Sequence, residues 1–257
     1  MKEILDKCTY IGVQNKYYKE RFISLGCKEG KIFITGNMKF ESISFDEKYL
    51  NQIRDKYLAL IKPNNSLLII AASTHYPEEK LFLDIYKDIL KVEKNLSLII
   101  APRHIERIPS VEKIIFSLGF EPIKISELFS SNKVSKNSVF LLDTLGTLIY
   151  FYAISDICFV GGSLAKYGGH NILEPLYFSK PTIFGPYMDN FKDIEELVLE
   201  KNAAIKIKNI LELKEYLLNL IRDRNLREGL GLRAKEIFIF GENSLEKNLE
   251  LILKCIK

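Results

Sequence analysis

The sequence has no tryptophan, only three histidines and three methionines among its 257 residues, and four cysteines (Cys8, Cys27, Cys158, Cys255) that form no C-x-x-C pair. Cysteines this far apart read as reduced thiols, mostly buried as small apolar side chains, rather than as a disulfide framework. His75, His104 and His170 share no ligand spacing with the cysteines or with each other, so no metal is expected. No apolar run approaches the ~20 residues of a membrane-spanning helix. The longest candidates, such as Leu67–Ala72, are strand-sized. Met1-Lys2-Glu3 leads into no apolar stretch, so no secretory signal is expected. Neither sign of charge dominates: 37 Lys+Arg face 33 Asp+Glu, a net +4 that gives no reason to expect nucleic acid as a partner. Charged residues at 27% with scattered Gly and Pro exclude a collagenous or low-complexity chain. What is present is a soluble globular protein of one or two domains, 47% apolar, long enough to bury a core.

Short β-branched runs alternate with amphipathic stretches of helical length. Strands are predicted at Thr9–Val13, Lys31–Thr35, Leu67–Ala72, Leu96–Ala101, Val139–Leu142, Ile157–Val160, Thr182–Phe184 and Ala204–Ile207, with helices between and after them. Runs such as Leu67-Leu68-Ile69-Ile70 are continuous rather than alternating, as in strands covered on both faces. This order predicts an α/β fold, a Rossmann-like parallel sheet flanked by helices. Residues 1–36 hold too little to bury a core alone, and the turn chemistry of Thr35-Gly36-Asn37-Met38-Lys39 suggests a junction. The expected organisation is the tail of one domain over 1–36 and a complete second domain over 37–257. Residues 126–138, rich in Ser, Asn and Lys, are the one internal loop expected to be mobile.

In an open parallel sheet, ligands bind beyond the carboxyl ends of the strands. The unusual polar and glycine residues fall there repeatedly: Ser73-Thr74-His75, Pro102-Arg103-His104, Asp143-Thr144-Leu145-Gly146-Thr147, Gly161-Gly162-Ser163 and Gly168-Gly169-His170-Asn171. Arg103 offers a planar fork of donors suited to phosphate, or a surface salt bridge. The glycines Gly161, Gly162, Gly168 and Gly169 allow close backbone approach with N–H groups facing an anion, or make an ordinary flexible loop. Glu174 suits ribose hydroxyls, or the dipole of its own helix. His170 suits a phosphate or carboxylate, or a structural role. Asp143 reads better as a turn cap than as a chemical group, and Lys39 as a solvated linker residue.

Several standard sites are excluded. Gly26 to Lys31 is one residue short of a P-loop, and Ile32 follows Lys31 where Ser or Thr is needed. No G-x-G-x-x-G follows a strand. Gly161-Gly162-Ser163-Leu164-Ala165 comes close to a nucleophile elbow, but the only histidine beyond Ser163 is His170, with no acid between them.

Taken together, these segments resemble the 3-deoxy-D-manno-octulosonic acid (Kdo) transferases of lipopolysaccharide assembly. The resemblance rests on Thr35-Gly36-Asn37-Met38-Lys39-Phe40, Ala71-Ala72-Ser73-Thr74-His75, Pro102-Arg103-His104-Ile105-Glu106-Arg107 and Asp143-Thr144-Leu145-Gly146. It rests most specifically on Phe159-Val160-Gly161-Gly162-Ser163-Leu164 and Gly168-Gly169-His170-Asn171-Ile172-Leu173-Glu174-Pro175, continued by Lys180-Pro181, Phe184-Gly185-Pro186 and Asn190-Phe191-Lys192-Asp193.

The resemblance implies the carboxyl-terminal, donor-binding domain of a GT-B glycosyltransferase. It implies a CMP-Kdo donor, a lipid A precursor acceptor, inversion at the anomeric carbon, and no metal or cofactor. CMP contacts would fall on Pro102, Arg103, Leu145, Gly146, Thr147, Asn171, Ile172, Leu173 and Glu174. Further donor contacts would fall on Ser73, Thr74, Gly162, Ser163 and His170. Thr147 stands where the family usually has Glu, and Ile172 where it often has Pro. The family's general base belongs to its amino-terminal domain, so no catalytic residue is assigned in this chain, and donor binding without transfer is expected of it alone. The implied setting is peripheral, on the cytoplasmic side of the inner membrane, with membrane contact through an amino-terminal half that a separate polypeptide could supply. Two alternatives stand beside this reading. One is a non-catalytic nucleotide-binding subunit of a split glycosyltransferase, for which an apolar patch around Ile4, Ile11, Leu249, Leu251 and Ile252 would speak. The other is a GT-B enzyme using another nucleotide sugar.

Overall fold

The computed structural model describes residues 2–41, 43, 45–129, 134, 135, 137–241 and 243–256. In chain order the elements are α1 (Lys2–Lys7), β1 (Ile11–Val13), α2 (Lys16–Ser24), β2 (Ile32–Ile34), α3 (Glu47–Ile61), β3 (Leu67–Thr74), α4 (Glu78–Ile89), β4 (Leu96–Pro102), α5 (Ile108–Ser117) and β5 (Glu121–Lys124). There follow β6 (Ser138–Leu141), α6 (Leu148–Ile154), β7 (Ile157–Val160), α7 (Leu173–Tyr177), β8 (Thr182–Phe184), α8 (Lys192–Glu200), β9 (Ile205–Lys206), α9 (Ile210–Arg222), α10 (Arg224–Gly241) and α11 (Ser244–Ile256).

Two compact units result, Met1–Ser44 with Phe238–Lys257, and Phe45–Ile237. The last helix thus groups with the amino-terminal segment rather than with the larger domain that residues 37–257 were expected to form. Its start explains why: the Glu41 carboxylate accepts hydrogen bonds from the Ser244 and Leu245 amides, capping α11, and Phe40 meets Phe238 edge-on at 5.5 Å. The smaller unit pairs β1 and β2 in parallel over a core of Leu5, Val13, Cys27 and Ile32. In it Leu251 is buried, whereas Ile4, Leu249 and Ile252 are exposed.

The larger unit is a seven-stranded, all-parallel sheet in the order β5-β6-β4-β3-β7-β8-β9. The continuous apolar run of β3 serves two cores at once, because side chains alternate across a strand. Ile69 and Ala71 join α4, α5 and α9 residues such as Phe82, Val111 and Leu217, while Leu68, Ile70 and Ala72 join α3 and α6 residues such as Ile53, Ile61 and Phe151.

Sequence pattern missed β5, a short edge strand reading Glu-Pro-Ile-Lys in which only Ile123 is buried. Proline is tolerated there because it needs no ladder partner on the open side. At the start of the loop expected to be mobile, Ile125–Glu127 form a 3₁₀ turn held through Ser126 by Asp143. Residues 130–133 and 136 lie outside the described residues.

The path of the chain positions the site. From β3 it winds outward to β4 and β5, returns to lay β6 between them, then crosses to β7 on the opposite side of β3. The β3/β7 boundary is therefore a topological switch point, where an open α/β sheet leaves a crevice beyond its strand ends.

Candidate functional site

A cleft of about 200 Å³ opens at the carboxyl ends of β3, β4 and β6, lined by Ser73, Ala101, Pro102, Arg103, Ile105, Leu142, Thr144, Leu145, Gly146 and Leu148. It brings together Ser73, Pro102, Arg103, Leu145 and Gly146 of the predicted residues. Arg103 is exposed and, among the described residues, has no salt-bridge partner, so the bland alternative of a surface ion pair does not hold. Gly146 has φ +74° and nothing within 4 Å of where a Cβ would stand, so the turn bends without a side chain closing the cleft. Glu174 belongs to the same electrostatic neighbourhood. Burial pushes its carboxyl above the usual range, while Asn171, donating at 3.2 Å, and the Arg103 guanidinium pull it back. Beside it lies the fully buried Tyr152, whose phenol is held well above its usual range by burial and by the Glu174 charge.

The glycine loop after β7 works differently from the anion cradle expected of it. The Gly161 amide donates to the Ala72 carbonyl at 2.7 Å, the Gly162 amide to Glu78 at 2.7 Å, and the Gly169 amide to the Gly162 carbonyl at 2.9 Å. Those three donors are engaged within the protein. The glycines are needed because other groups come close. A Cβ on Gly162 would stand 2.7 Å from the His170 ring, and one on Gly161 would stand 2.6 Å from Glu78. Glu78 itself is 1% exposed and gathers the His75, Gly162, Leu164 and Ala165 amides at 2.7–3.1 Å. Its neighbour Glu79, fully buried, forms a bidentate ion pair with Arg107.

No family model matches the chain. It is 34% identical over 257 residues to a bifunctional glycosyltransferase/methyltransferase of Fusobacterium nucleatum, covering 39% of that protein. It is 32% identical over 255 residues to a 3-deoxy-D-manno-octulosonic acid transferase of Haemophilus influenzae, covering 58% of it. Among solved structures, the C-terminal CMP-Kdo binding domain of WaaA from Acinetobacter baumannii is 30% identical with a TM-score of 0.66, and the match covers 78% of this chain and 98% of that domain. The chain belongs to the Kdo transferase family. Its fold is that of a GT-B carboxyl-terminal domain, and it spans 39–58% of the length of these curated relatives.

Within this member of the family, several predicted residues lie outside the cleft lining. Ile172 and Leu173 are fully buried, and the Leu173 amide already donates to Asn171 Oδ1 at 3.1 Å. Thr147 donates its hydroxyl to the Thr144 carbonyl at 3.0 Å and ties its own turn. Ser163 is fully buried, its hydroxyl donating to the Val160 carbonyl and accepting from the Gly185 amide, so it joins the segments after β7 and β8. Thr74 is buried with Oγ1 unpartnered among the described residues. Asp143 accepts from Ser126 instead of capping the turn that follows it. Sequence reasoning missed Glu78, Glu79 and Tyr167. Two acids at a helix start read as dipole-stabilising surface residues, and nothing local signals that both are buried. Among the described residues no helix is long and apolar enough to cross a membrane.

Proposed function

We propose that this chain is the donor-binding part of a Kdo transferase, taking CMP-Kdo with its cytidylate in the cleft at the ends of β3, β4 and β6. The observation that carries the reading is Arg103: an exposed cation with no ion-pair partner among the described residues, on the cleft wall with Leu145 and Gly146, acting electrostatically on Glu174. The guanidinium meets the phosphate and balances the charge that develops on departing CMP. Glu174, oriented by Asn171, accepts from ribose hydroxyls. Pro102, Leu145 and Gly146 enclose the nucleoside. Asn171, Ile172 and Leu173 serve by setting the helix that carries Glu174.

In this reading transfer of Kdo to a lipid A precursor is completed by an acceptor-binding half, which brings the site to the cytoplasmic face of the inner membrane. Titration calorimetry with CMP and UDP tests the donor assignment. CMP binds and UDP binds more weakly. Arg103→Ala weakens CMP by roughly 10- to 100-fold, the value of a charge-assisted hydrogen-bond pair. Equal affinity for the two nucleotides, or an Arg103→Ala chain that binds CMP unchanged, would refute it.

A further inference from the structure

All three histidines of the sequence converge at the switch point, although they lie 29 and 66 residues apart. His75 Nε2 and His170 Nε2 are 2.8 Å apart, with the rings almost parallel at 7°. Tyr167 stacks on His75 at 4.0 Å, and His104 meets it edge-on at 5.5 Å. The site is built: His75 is only 7% exposed, and Gly162 lacks a Cβ where His170 packs.

A bond between two Nε2 atoms limits the pair's charge. One ring donates Nε2–H and the other accepts, so at most one further proton can enter without breaking the contact, on the donor ring's Nδ1. The pair is therefore neutral or singly positive. The groups facing it are Arg103 and His104 beyond β4, Arg107 in the following turn, Glu78 and Glu79 on α4, and Tyr167 on the glycine loop. Both acids are engaged elsewhere, Glu78 on four main-chain amides and Glu79 on Arg107. Burial and the surrounding cations hold His75 low and His170 down to about 4. An arriving anion reverses that balance.

We propose that the His75–His170 pair, with Arg103 beside it, seats a carboxylate on the donor sugar and takes up one proton from solvent as that anion binds. This deepens the CMP-Kdo reading and rests on it. The carboxylate of Kdo is attached to the carbon that carries the phosphate ester, so the two anions arrive side by side. Arg103 acts on both the nucleotide cleft and His170, which is the juxtaposition such a ligand needs.

The test is titration calorimetry of the full chain at about pH 8 in two buffers of different ionisation enthalpy, with CMP and with CMP-Kdo. CMP-Kdo binds at least ~10-fold tighter than CMP and takes up measurably more proton, the difference growing as the pH is lowered from 8 toward 6. His170→Asn abolishes the extra proton and the extra affinity. Imidazole NMR of the unaltered chain gives a readout independent of that variant: one imidazolium of the His75–His170 pair appears with CMP-Kdo and not with CMP. CMP binding with no gain for CMP-Kdo, or a gain without proton uptake or an imidazolium signal, overturns this proposal and leaves the nucleotide reading standing. Binding of neither ligand overturns both.

Discussion

The carboxylate of Glu78 offers the sharpest test of how the donor site is held in shape. Oε2 accepts from the His75 and Gly162 amides and Oε1 from the Leu164 and Ala165 amides, all from a side chain 1% exposed. In Glu78→Gln one oxygen keeps its two donors, while the new NH₂ faces two amide N–H groups that lose their acceptor. Each buried amide left without an acceptor costs about 1–3 kcal/mol, so the variant loses about 2–6 kcal/mol. For a unit of this size that lowers Tm on the order of 10 °C, and a domain with typical stability of about 5–15 kcal/mol still folds. Differential scanning calorimetry of the native chain, Glu78→Gln and the exposed control Glu106→Gln gives the comparison, with the control within about 0.5 kcal/mol. Amide exchange should accelerate at Gly162 or at Leu164 and Ala165. A Glu78→Gln chain as stable as the control would refute the pinning of the glycine loop by this carboxylate.

Gly162→Ala should lower stability by about 1–2 kcal/mol, because φ is +66° and the new Cβ would press on the His170 ring at 2.7 Å. Urea denaturation reads this, and an unchanged midpoint would show that the loop has room. Because folding holds His170 down to about 4 against an ordinary value near 6.5, the unfolded chain takes the proton first. The contribution is complete above about pH 6.5 and is lost as pH falls toward 4. The urea midpoint of the native chain should fall between pH 7 and pH 5 by more than that of His170→Asn, and equal falls would contradict the assignment. Arg103→Lys should recover only part of the CMP affinity lost in Arg103→Ala, since an ammonium keeps the charge without the two-pronged geometry. Full recovery in calorimetry would mean that charge alone suffices.

Much of the larger unit can be read from the sequence because its strands are continuous apolar runs, and Leu67–Ala72 and Ile157–Val160 are such runs. The edge strand Glu121–Lys124 escapes because an edge needs neither hydrophobic continuity nor a full set of amides. The rim of the site is legible for the same topological reason, since residues following parallel strands must share one edge. Which groups at that rim are available to a ligand is not legible. Gly161, Gly162 and Gly169 have the composition of an anion loop, yet their amides are engaged by Ala72, Glu78 and Gly162. The acid responsible for part of this is 84 residues from Gly162 in sequence. Spacing likewise gives no sign that His75 and His170 meet, because their contact is created by the crossover from one side of β3 to the other.

The central claim is that cytidylate lies between Arg103, the Leu145–Gly146 turn and Glu174. Backbone amide NMR of the chain titrated with CMP tests it most directly. The account predicts saturable shifts at Arg103, Leu145, Gly146 and Glu174, with little change at Leu245 and Leu249 in the smaller unit. Shifts concentrated anywhere else, with those four residues silent, would contradict it.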